Sequence, residues 1–437
     1  MDFLKSRFSP PDIDKLLAER DSGALVHALT FRRDPAVRRD AALALGKLRA
    51  TYASEALIET LQADQDESVR RAAAIALGRI RPSAAFLPAM TALHDPAPGV
   101  RQAAVYLLGQ LGNNKATPFL PAFLEDPRWP TRKTAAKALQ RLGWQPDDSA
   151  AAAYYYIITE QWAACATLGD TAVAPLIATL LDRQQEPYHA QVIWTLGQIG
   201  NPAAIEPLEH TIHHRRTYIR RLSAEALGHV GGPEVVEPLL GALSDRNEAV
   251  QWAAQSALRG LQLTTAPPAL AEALFDPNIS LRLLAVELLG ESEDPNVPLV
   301  LQKALGDSEV RVRLRAASAL AQFGDMDALA TALEDDDPSV RVTAVRGLRN
   351  IDDPHMITLL AQAIEDENRS VRNEVVAALA ASGLDGAVEP LCRGLHDRDP
   401  GMRRLVTETL GKLGAVAAKP EVVNACHDPC LLYTSDA

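Results

Sequence analysis

The feature that most constrains the fold is a segment that recurs along the chain, mostly at intervals of 31 residues. Its clearest copy, Asp34–Gly46, reads DPAVRRDAALALG, and its first arginine serves as an anchor for comparing the copies. Leucine stands seven residues after every anchor. A fixed period with two apolar helical segments per copy is typical of a helix-turn-helix solenoid. The anchors are Arg38, Arg70, Arg101, Arg132, His189, Arg220, Gln251, Arg282, Arg313, Arg341, Arg372 and Arg403.

The sequence therefore predicts an all-α fold, an α-solenoid of about twelve helix pairs with a period of 31 residues. Alanine and leucine, both strong helix formers, supply most of the 47% hydrophobic content, and only 5% of residues are aromatic. Glycine eight residues after the anchor, as at Gly46 and Gly228, is expected to end the second helix of each pair. The aspartates expected to cap the start of that helix are Asp34, Asp95, Asp126, Asp276 and Asp337.

The spacing also predicts the domain organisation. Residues 1–143 form a first set of repeats, and residues 170–420 form a second set. The distance from Arg132 to His189 is 57 residues, so residues 144–169 are expected to be an irregular helical insert. The aromatic residues Tyr154–Tyr156 and Trp162 in this insert either bind a partner or pack the irregular junction.

The units Asp34–Gly46, Glu67–Gly78, Asp95–Gly109 and Asp276–Gly290 resemble the HEAT-like repeats first associated with phycobiliprotein (bilin) lyases, the PBS lyase HEAT-like repeats. The resemblance covers roughly residues 12–420. It implies that the second helices line a concave surface. It also implies one candidate activity, the handling of a bilin chromophore on a phycobiliprotein.

The charge is uneven along the chain. Residues 1–150 hold 21 Lys+Arg and 17 Asp+Glu, a net charge of +4; the remainder holds 44-21=23 and 56-17=39, a net charge of -16. The total of -12 argues against non-specific nucleic-acid binding by the whole surface. No apolar run approaches the ~20 residues of a membrane helix, and Met1–Phe8 is too short and too charged for a signal peptide. A cytoplasmic location is expected.

No catalytic motif stands out. The chain has no glycine-rich phosphate loop, no Gly-x-Ser-x-Gly elbow, no His-Glu-x-x-His helix and no His-Glu dipeptide. We predict no catalytic residue, no cofactor and no metal site. The cluster His210, His213 and His214 could share a helical face, but a solvated loop or helix end is the expected setting.

The end of the chain departs from the repeat. Residues 421–437 are expected to be a truncated end, because no polar capping helix follows Gly414. Residues 430–437 resemble translated sequencing-adapter DNA and are expected to be a non-native tail. The apparent metal motif Cys426–Cys430 is then accidental, since Cys430 would come from the adapter.

The anchor arginines are expected to pair with an aspartate of their own or the adjacent repeat, which would tie the turns into a ladder. The surface available to a partner should then be the positions one and five residues after each anchor. This stripe is basic at first and apolar in the middle, and exposed tryptophan and arginine are favoured in interfaces. The residues predicted to bind a partner are Arg39, Arg71, Tyr106, Lys133, Lys137, Trp194, Arg221, Trp252, Leu283 and Leu314.

Three functions follow as hypotheses. The first is a non-enzymatic scaffold or adaptor whose concave face holds another protein or peptide, acidic at one end and apolar in the middle. The second, which rests on the resemblance, is a bilin lyase or a lyase-like chromophore-handling protein. The third is a nucleic-acid binder that uses the basic N-terminal third.

Overall fold

The computed structural model describes residues 10–414 and Pro420, and this part is all-helical, with twenty-six α-helices and no strand. The predicted termini 421–437 and Met1–Phe8 lie outside the described residues, as does Cys426–Cys430. The chain divides into two compact units, residues 1–207 (unit 1) and residues 208–437 (unit 2). The first helices in chain order are α1 (Ile13–Ala18), α2 (Ser22–Ala28), α3 (Pro35–Leu48), α4 (Ser54–Ala63), α5 (Glu67–Ile80), α6 (Phe86–Ala92), α7 (Pro98–Leu111), α8 (Trp129–Arg141), α9 (Ala150–Ile158), α10 (Trp162–Thr167), α11 (Asp170–Leu181) and α12 (His189–Ile199).

The boundary between the units falls within α13, and the helices that follow repeat the same alternation of a shorter and a longer helix. They are α13 (Ile205–Thr211), α14 (Thr217–Val230), α15 (Val236–Ala242), α16 (Glu248–Arg259), α17 (Pro268–Ala273), α18 (Ile279–Gly290), α19 (Val297–Ala304), α20 (Val310–Phe323), α21 (Met326–Ala332), α22 (Pro338–Arg349), α23 (His355–Ala363), α24 (Arg369–Ser382), α25 (Val388–Gly394) and α26 (Pro400–Lys412).

Twelve of these helices carry an anchor and are the second helices of their pairs, which confirms the predicted α-solenoid of about twelve pairs. Each buries the leucine seven residues after its anchor, and every one of these leucines is at most 2% exposed. Complete burial of a leucine stabilises a fold by about 1.5–3 kcal/mol relative to leaving it exposed. The second helices are α3, α5, α7, α8, α12, α14, α16, α18, α20, α22, α24 and α26.

Residues 144–169 hold a helix pair that lacks an anchor. The first of its helices, α9, lies between the 3-10 turn Pro121–Glu125 and α11, so it takes a place in the layer of first helices. The second, α10, has only six residues and packs against α12 in the layer of second helices. The long interval between anchors therefore contains one additional, shortened pair.

The glycine eight residues after the anchor does not end most second helices, so this part of the prediction is wrong. After Gly46 and Gly228 the helix continues for two more residues, to Leu48 and Val230. The reason for glycine is close helix packing. A Cβ at Gly228 would lie 2.6 Å from the Cβ of Ala257 on the next second helix. Backbone in the left-handed region comes three residues later, as at Gly112 and Gly200.

The predicted capping role of Asp95, Asp126 and Asp276 is also wrong. In α18 the capping side chain is that of Asn278, which accepts from the amide of Ser280. Asp276 lies two residues earlier and accepts from the amide of Asn278, at 2.7 Å. Asp95 and Asp126 hold their turns in the same way. Asp34 and Asp337, by contrast, do cap their helices as predicted.

Candidate functional site

Seven of the anchor arginines form the predicted ladder. Arg220 is representative: its Nε and Nη2 donate to the two carboxylate oxygens of Asp245 at 2.6 and 2.9 Å, and its Nη1 donates to the carbonyl of His214 at 3.0 Å. In every such pair the aspartate belongs to the next repeat, and the shortest N···O distance is 2.6–2.8 Å. The pairs are Arg38–Asp64, Arg70–Asp95, Arg220–Asp245, Arg282–Asp307, Arg313–Asp335, Arg341–Asp366 and Arg372–Asp397.

These pairs are structural and leave little charge for a ligand. The side chains of Arg220 and Asp245 are only 5% and 12% exposed. The hydrogen bond from Arg220 lowers the pKa of the Asp245 carboxyl, and the same bond raises the pKa of Arg220. Both groups therefore stay charged and mutually neutralised over the physiological pH range.

The ladder is interrupted at Arg132, where the shortened helix pair follows. Its Nη2 lies 3.9 Å from the nearest oxygen of Asp182, and its buried Nε has no hydrogen-bond partner among the described residues. The guanidinium instead lies over the rings of Trp129 and Tyr154, at 5.2 and 5.1 Å from their centroids. Cation–π contact thus replaces a carboxylate at Arg132. Arg101 also forms no ion pair within the described residues and donates instead to the carbonyls of Asp95 and Pro96.

The aromatic side chains within residues 144–169 pack against one another and against neighbouring helices. This supports the interpretation that they pack the irregular junction. Tyr188 lies between Trp129 and Trp162, with centroid distances of 5.6 and 6.0 Å. Tyr155 is 7% exposed and meets Trp144 edge-on at 5.3 Å. Burial raises the pKa of Tyr155 and of Tyr188.

The exposed side of the second helices is defined by the positions one, five and nine residues after each anchor, and we call it the second-helix face. None of its residues is buried in either unit. In unit 1 it holds seven cations and no carboxylate. The fifteen residues, helix by helix, are Arg39, Leu43 and Lys47; Arg71, Ile75 and Arg79; Gln102, Tyr106 and Gln110; Lys133, Lys137 and Arg141; Ala190, Trp194 and Gln198.

Almost all of these seven cations are free of ion pairs with described residues, so they are available to a ligand. Arg39 forms an ion pair with Asp40, which lies beside the face, at 2.9 Å. The other six cations are exposed and form no ion pair with a residue in the described range. They are Lys47, Arg71, Arg79, Lys133, Lys137 and Arg141.

The second-helix face of unit 2 has a different electrostatic character. It holds four cations, Arg221, Arg346, Arg404 and Lys412, and four carboxylates. Arg221 pairs with Glu225 on its own helix, and Arg404 pairs with Glu408 at 2.9 Å. Arg346 reaches Glu374 on the next second helix, at 3.0 Å. Three of the four cations on this face are therefore paired with carboxylates of the protein itself.

The predicted partner-binding residues all lie on this face, and their exposure varies. Trp194, in unit 1, is 46% exposed, and Trp252, in unit 2, is 67% exposed. Leu283, Leu314 and Tyr106 are half-buried. A shallow groove beside Trp252 is lined by Glu225, Gly228, His229, Ser256 and Gly260.

Sequence reasoning missed the third row, nine residues after the anchor, although helical periodicity makes it available. This row adds Lys47, Arg79 and Arg141 to the basic face of unit 1.

The histidine cluster lies at a helix end, the setting expected for it. His210 is in the last turn of α13, whereas His213 and His214 follow that helix. Within the described residues, no three His, Cys, Asp or Glu side chains are grouped to hold a metal ion. The same residues include no helix long and apolar enough to cross a membrane.

Comparison with known proteins identifies the repeat. The family model described as HEAT repeats matches residues 22–92, 86–154, 210–276, 267–332 and 326–411, which together span more than half of the chain. The model described as PBS lyase HEAT-like repeat matches residues 190–212. No curated protein sequence matches the chain significantly.

The chain also resembles several solved structures, each at a low TM-score. The karyopherin Kap121p has a TM-score of 0.34 and 13% identity, over 92% of this chain and 50% of that chain. Human deoxyhypusine hydroxylase has a TM-score of 0.25 and 22% identity, over 63% and 98%. The CpcE–CpcF complex of phycocyanin lyase from Nostoc has a TM-score of 0.23 and 26% identity, over 62% and 94%. Likenesses at such low TM-scores assign no function.

Proposed function

This chain belongs to the HEAT-repeat family, and on that premise we propose that it is a non-enzymatic scaffold that holds a protein partner on its second-helix face. The observation that carries the proposal is Trp252, a large apolar side chain that is 67% exposed on a helix whose opposite side is buried. Exposure of tryptophan to water is unfavourable, and tryptophan is enriched among the residues that dominate binding energy.

The surroundings of Trp252 suit an inserted side chain. Small residues, Gly228, Ser256 and Gly260, line the groove beside the indole ring, and Glu225 and His229 are its polar members. A large apolar side chain beside small residues, with polar groups at the margin, is the arrangement found where a side chain of a partner inserts into a protein surface. We therefore place the centre of the unit 2 contact at Trp252.

Affinity capture with tagged wild type and a Trp194→Ala/Trp252→Ala variant, followed by measurement of the purified pair by titration calorimetry, tests the proposal. Loss of a central tryptophan costs about 2 kcal/mol or more, so we expect the Kd to rise by roughly thirtyfold. Trp252→Ala alone and Trp194→Ala alone show which unit makes the contact.

Phe275→Ala is the matched control, because Phe275 is also 67% exposed but lies in the turn after α17 and off the second-helix face. A partner that binds the tryptophan variant as tightly as the wild type, or that is lost equally from the Phe275→Ala variant, would refute a second-helix contact at these tryptophans.

The other two hypotheses stay predictions. A bilin lyase or lyase-like protein would attach bilin to a phycobiliprotein subunit when the purified chain is mixed with that subunit and free bilin. The subunit would then gain visible absorbance. A nucleic-acid binder would retain oligonucleotides with an affinity that falls steeply with salt. The cytoplasmic location also stays a prediction.

A further inference from the structure

We propose that the second-helix face of unit 1 binds an acidic amphipathic polypeptide segment, with carboxylates on both sides of an apolar stripe. The inference rests on the proposed scaffold function and names the chemistry of one partner segment. It is carried by the distribution of charge over the three rows of the face.

The rows differ in kind. The middle row is apolar in four of its five positions: Leu43, Ile75, Tyr106 and Trp194, with Lys137 as the exception. Both outer rows are basic or neutral and contain no carboxylate. An apolar strip flanked on each side by cations is complementary to a segment whose apolar side chains are flanked by anions.

One section of this face shows the arrangement at atomic scale. A groove between α5 and α7 is lined by Arg71 and Arg79 on one side and by Tyr106 and Gln102 on the other, with Ile75 between them. Both arginines are exposed and neither pairs with a described carboxylate. A leucine of the segment would contact Ile75 and Tyr106 while neighbouring glutamates reach the two guanidinium groups.

This face is basic although the net charge of the whole protein is -12. Elsewhere seven anchor arginines pair with aspartate, as Arg38 does with Asp64, and unit 2 pairs three of the four cations on its own second-helix face. Six neighbouring unpaired cations repel one another, and a bound anionic segment removes that repulsion.

The middle row favours a polypeptide over a nucleic acid. Leu43 and Ile75 are aliphatic and separate the two basic rows, whereas a single-stranded nucleic acid is bound in a continuous basic groove with aromatic side chains for base stacking. The overall negative charge of the chain opposes a long polyanion but tolerates a short acidic segment.

The test uses fluorescence anisotropy with the full-length chain and three labelled probes. The first is a peptide with leucine at every third or fourth position and glutamate between. The second replaces each glutamate by glutamine, and the third is a single-stranded oligodeoxynucleotide. We expect the Glu/Leu peptide to bind more tightly than both others, with an affinity that falls as salt rises.

A triple variant, Arg71→Gln/Lys133→Gln/Lys137→Gln, should weaken binding of the Glu/Leu peptide by about tenfold, since each of the three exposed ion pairs contributes about twofold to the affinity. The matched control, Arg346→Gln/Arg404→Gln/Lys412→Gln, changes the net charge equally on the face of unit 2 and should leave the affinity within about twofold. Far-UV circular dichroism verifies that both variants are folded.

Equal weakening by the two triple variants would show a non-specific charge effect and overturn the proposal. So would tighter binding of the oligonucleotide, or equal binding of the Gln/Leu peptide. If the partner captured through Trp252 is bound normally by the Arg71/Lys133/Lys137 variant and no probe binds unit 1, the scaffold function stands and this inference fails. Loss of capture by the single variant Trp252→Ala tests the scaffold function alone, because Trp252 lies in unit 2 and outside the apolar row of unit 1.

Discussion

Replacing Gly228 with alanine distinguishes close helix packing from intrinsic helix propensity, because the two predict opposite signs. Gly228 lies inside α14 with helical backbone, so propensity alone predicts that alanine stabilises the helix by about 1 kcal/mol. The structure places the new Cβ 2.6 Å from the Cβ and 3.0 Å from the Cα of Ala257. The Cα is backbone of α16 and the Cβ is bound directly to it, so no rotamer change can relieve the contact and the two helices have to separate.

The magnitude follows from these two terms. Overpacking of a well-packed contact costs about 1–3 kcal/mol. After the propensity gain of about 1 kcal/mol is subtracted, we expect the free energy of unfolding to fall by up to about 2 kcal/mol. Helix separation also removes dispersion contacts along α14 and α16, so the loss should be concentrated in those helices.

Urea unfolding followed by circular dichroism gives the overall change, and hydrogen exchange read by mass spectrometry localises it to α14 and α16. Gly241→Ala is the control, because nothing lies within 4 Å of a Cβ at that helical glycine, and it should stabilise by about 0.5–1 kcal/mol. The double variant Gly228→Ala/Ala257→Gly should recover part of the loss. Stabilisation by Gly228→Ala equal to that by Gly241→Ala would refute the packing argument.

Three further predictions concern buried groups. Asp245→Ala leaves the buried Arg220 guanidinium without its carboxylate and should cost about 3–5 kcal/mol in urea unfolding, whereas Glu408→Ala, in the exposed pair with Arg404, should cost less than about 1 kcal/mol; equal costs would contradict a buried ladder. The hydrogen bond from Arg220 lowers the pKa of Asp245. The stabilisation of the fold by the ionised carboxyl is therefore complete above the unfolded pKa of about 3.9 and is lost as pH falls through the lower folded pKa. In that acidic range the urea midpoint of the wild type should fall with pH more steeply than that of Asp245→Asn. Burial raises the pKa of the Cys165 thiol to about 12, so iodoacetamide at mildly alkaline pH should modify Cys165 only after denaturation, while the half-buried Cys392 provides the comparison; rapid native-state labelling at Cys165, identified by peptide mass spectrometry, would disprove its burial.

The repeat could be predicted from the sequence because a local pattern of residues dictates how distant helices stack. An apolar residue seven positions after each anchor can be buried only if neighbouring pairs stack, so the period alone predicts the layers of α3 and α5 and their successors. The pairing of the anchor arginine with an aspartate was likewise predictable, because residues of opposite charge recur in the repeats. The choice between its own and the adjacent repeat was left open, and the structure places Arg38 against Asp64, in the next repeat.

The helix ends were misread where one residue type serves two purposes. Glycine is favoured both at a helix C-terminus and where two helices touch, and the sequence offers both explanations for Gly46. The side chain that caps a helix start was misread for a similar reason, because Asp276 and Asn278 are both capping residues by type.

The sequence by itself determined the solenoid, the burial of the repeated leucines and two of the three exposed rows, because all of these depend on periodicity within one repeat. Only the tertiary structure decided which exposed cations are available to a partner. Arg71 and Arg346 are both arginines on the second-helix face, yet Arg346 meets Glu374 of the following helix and Arg71 forms no ion pair with a described residue. The interruption of the ladder at Arg132 was decided in the same way. In each case the reason is that pairing depends on side chains brought together by helix stacking, which spacing within a single helix does not specify.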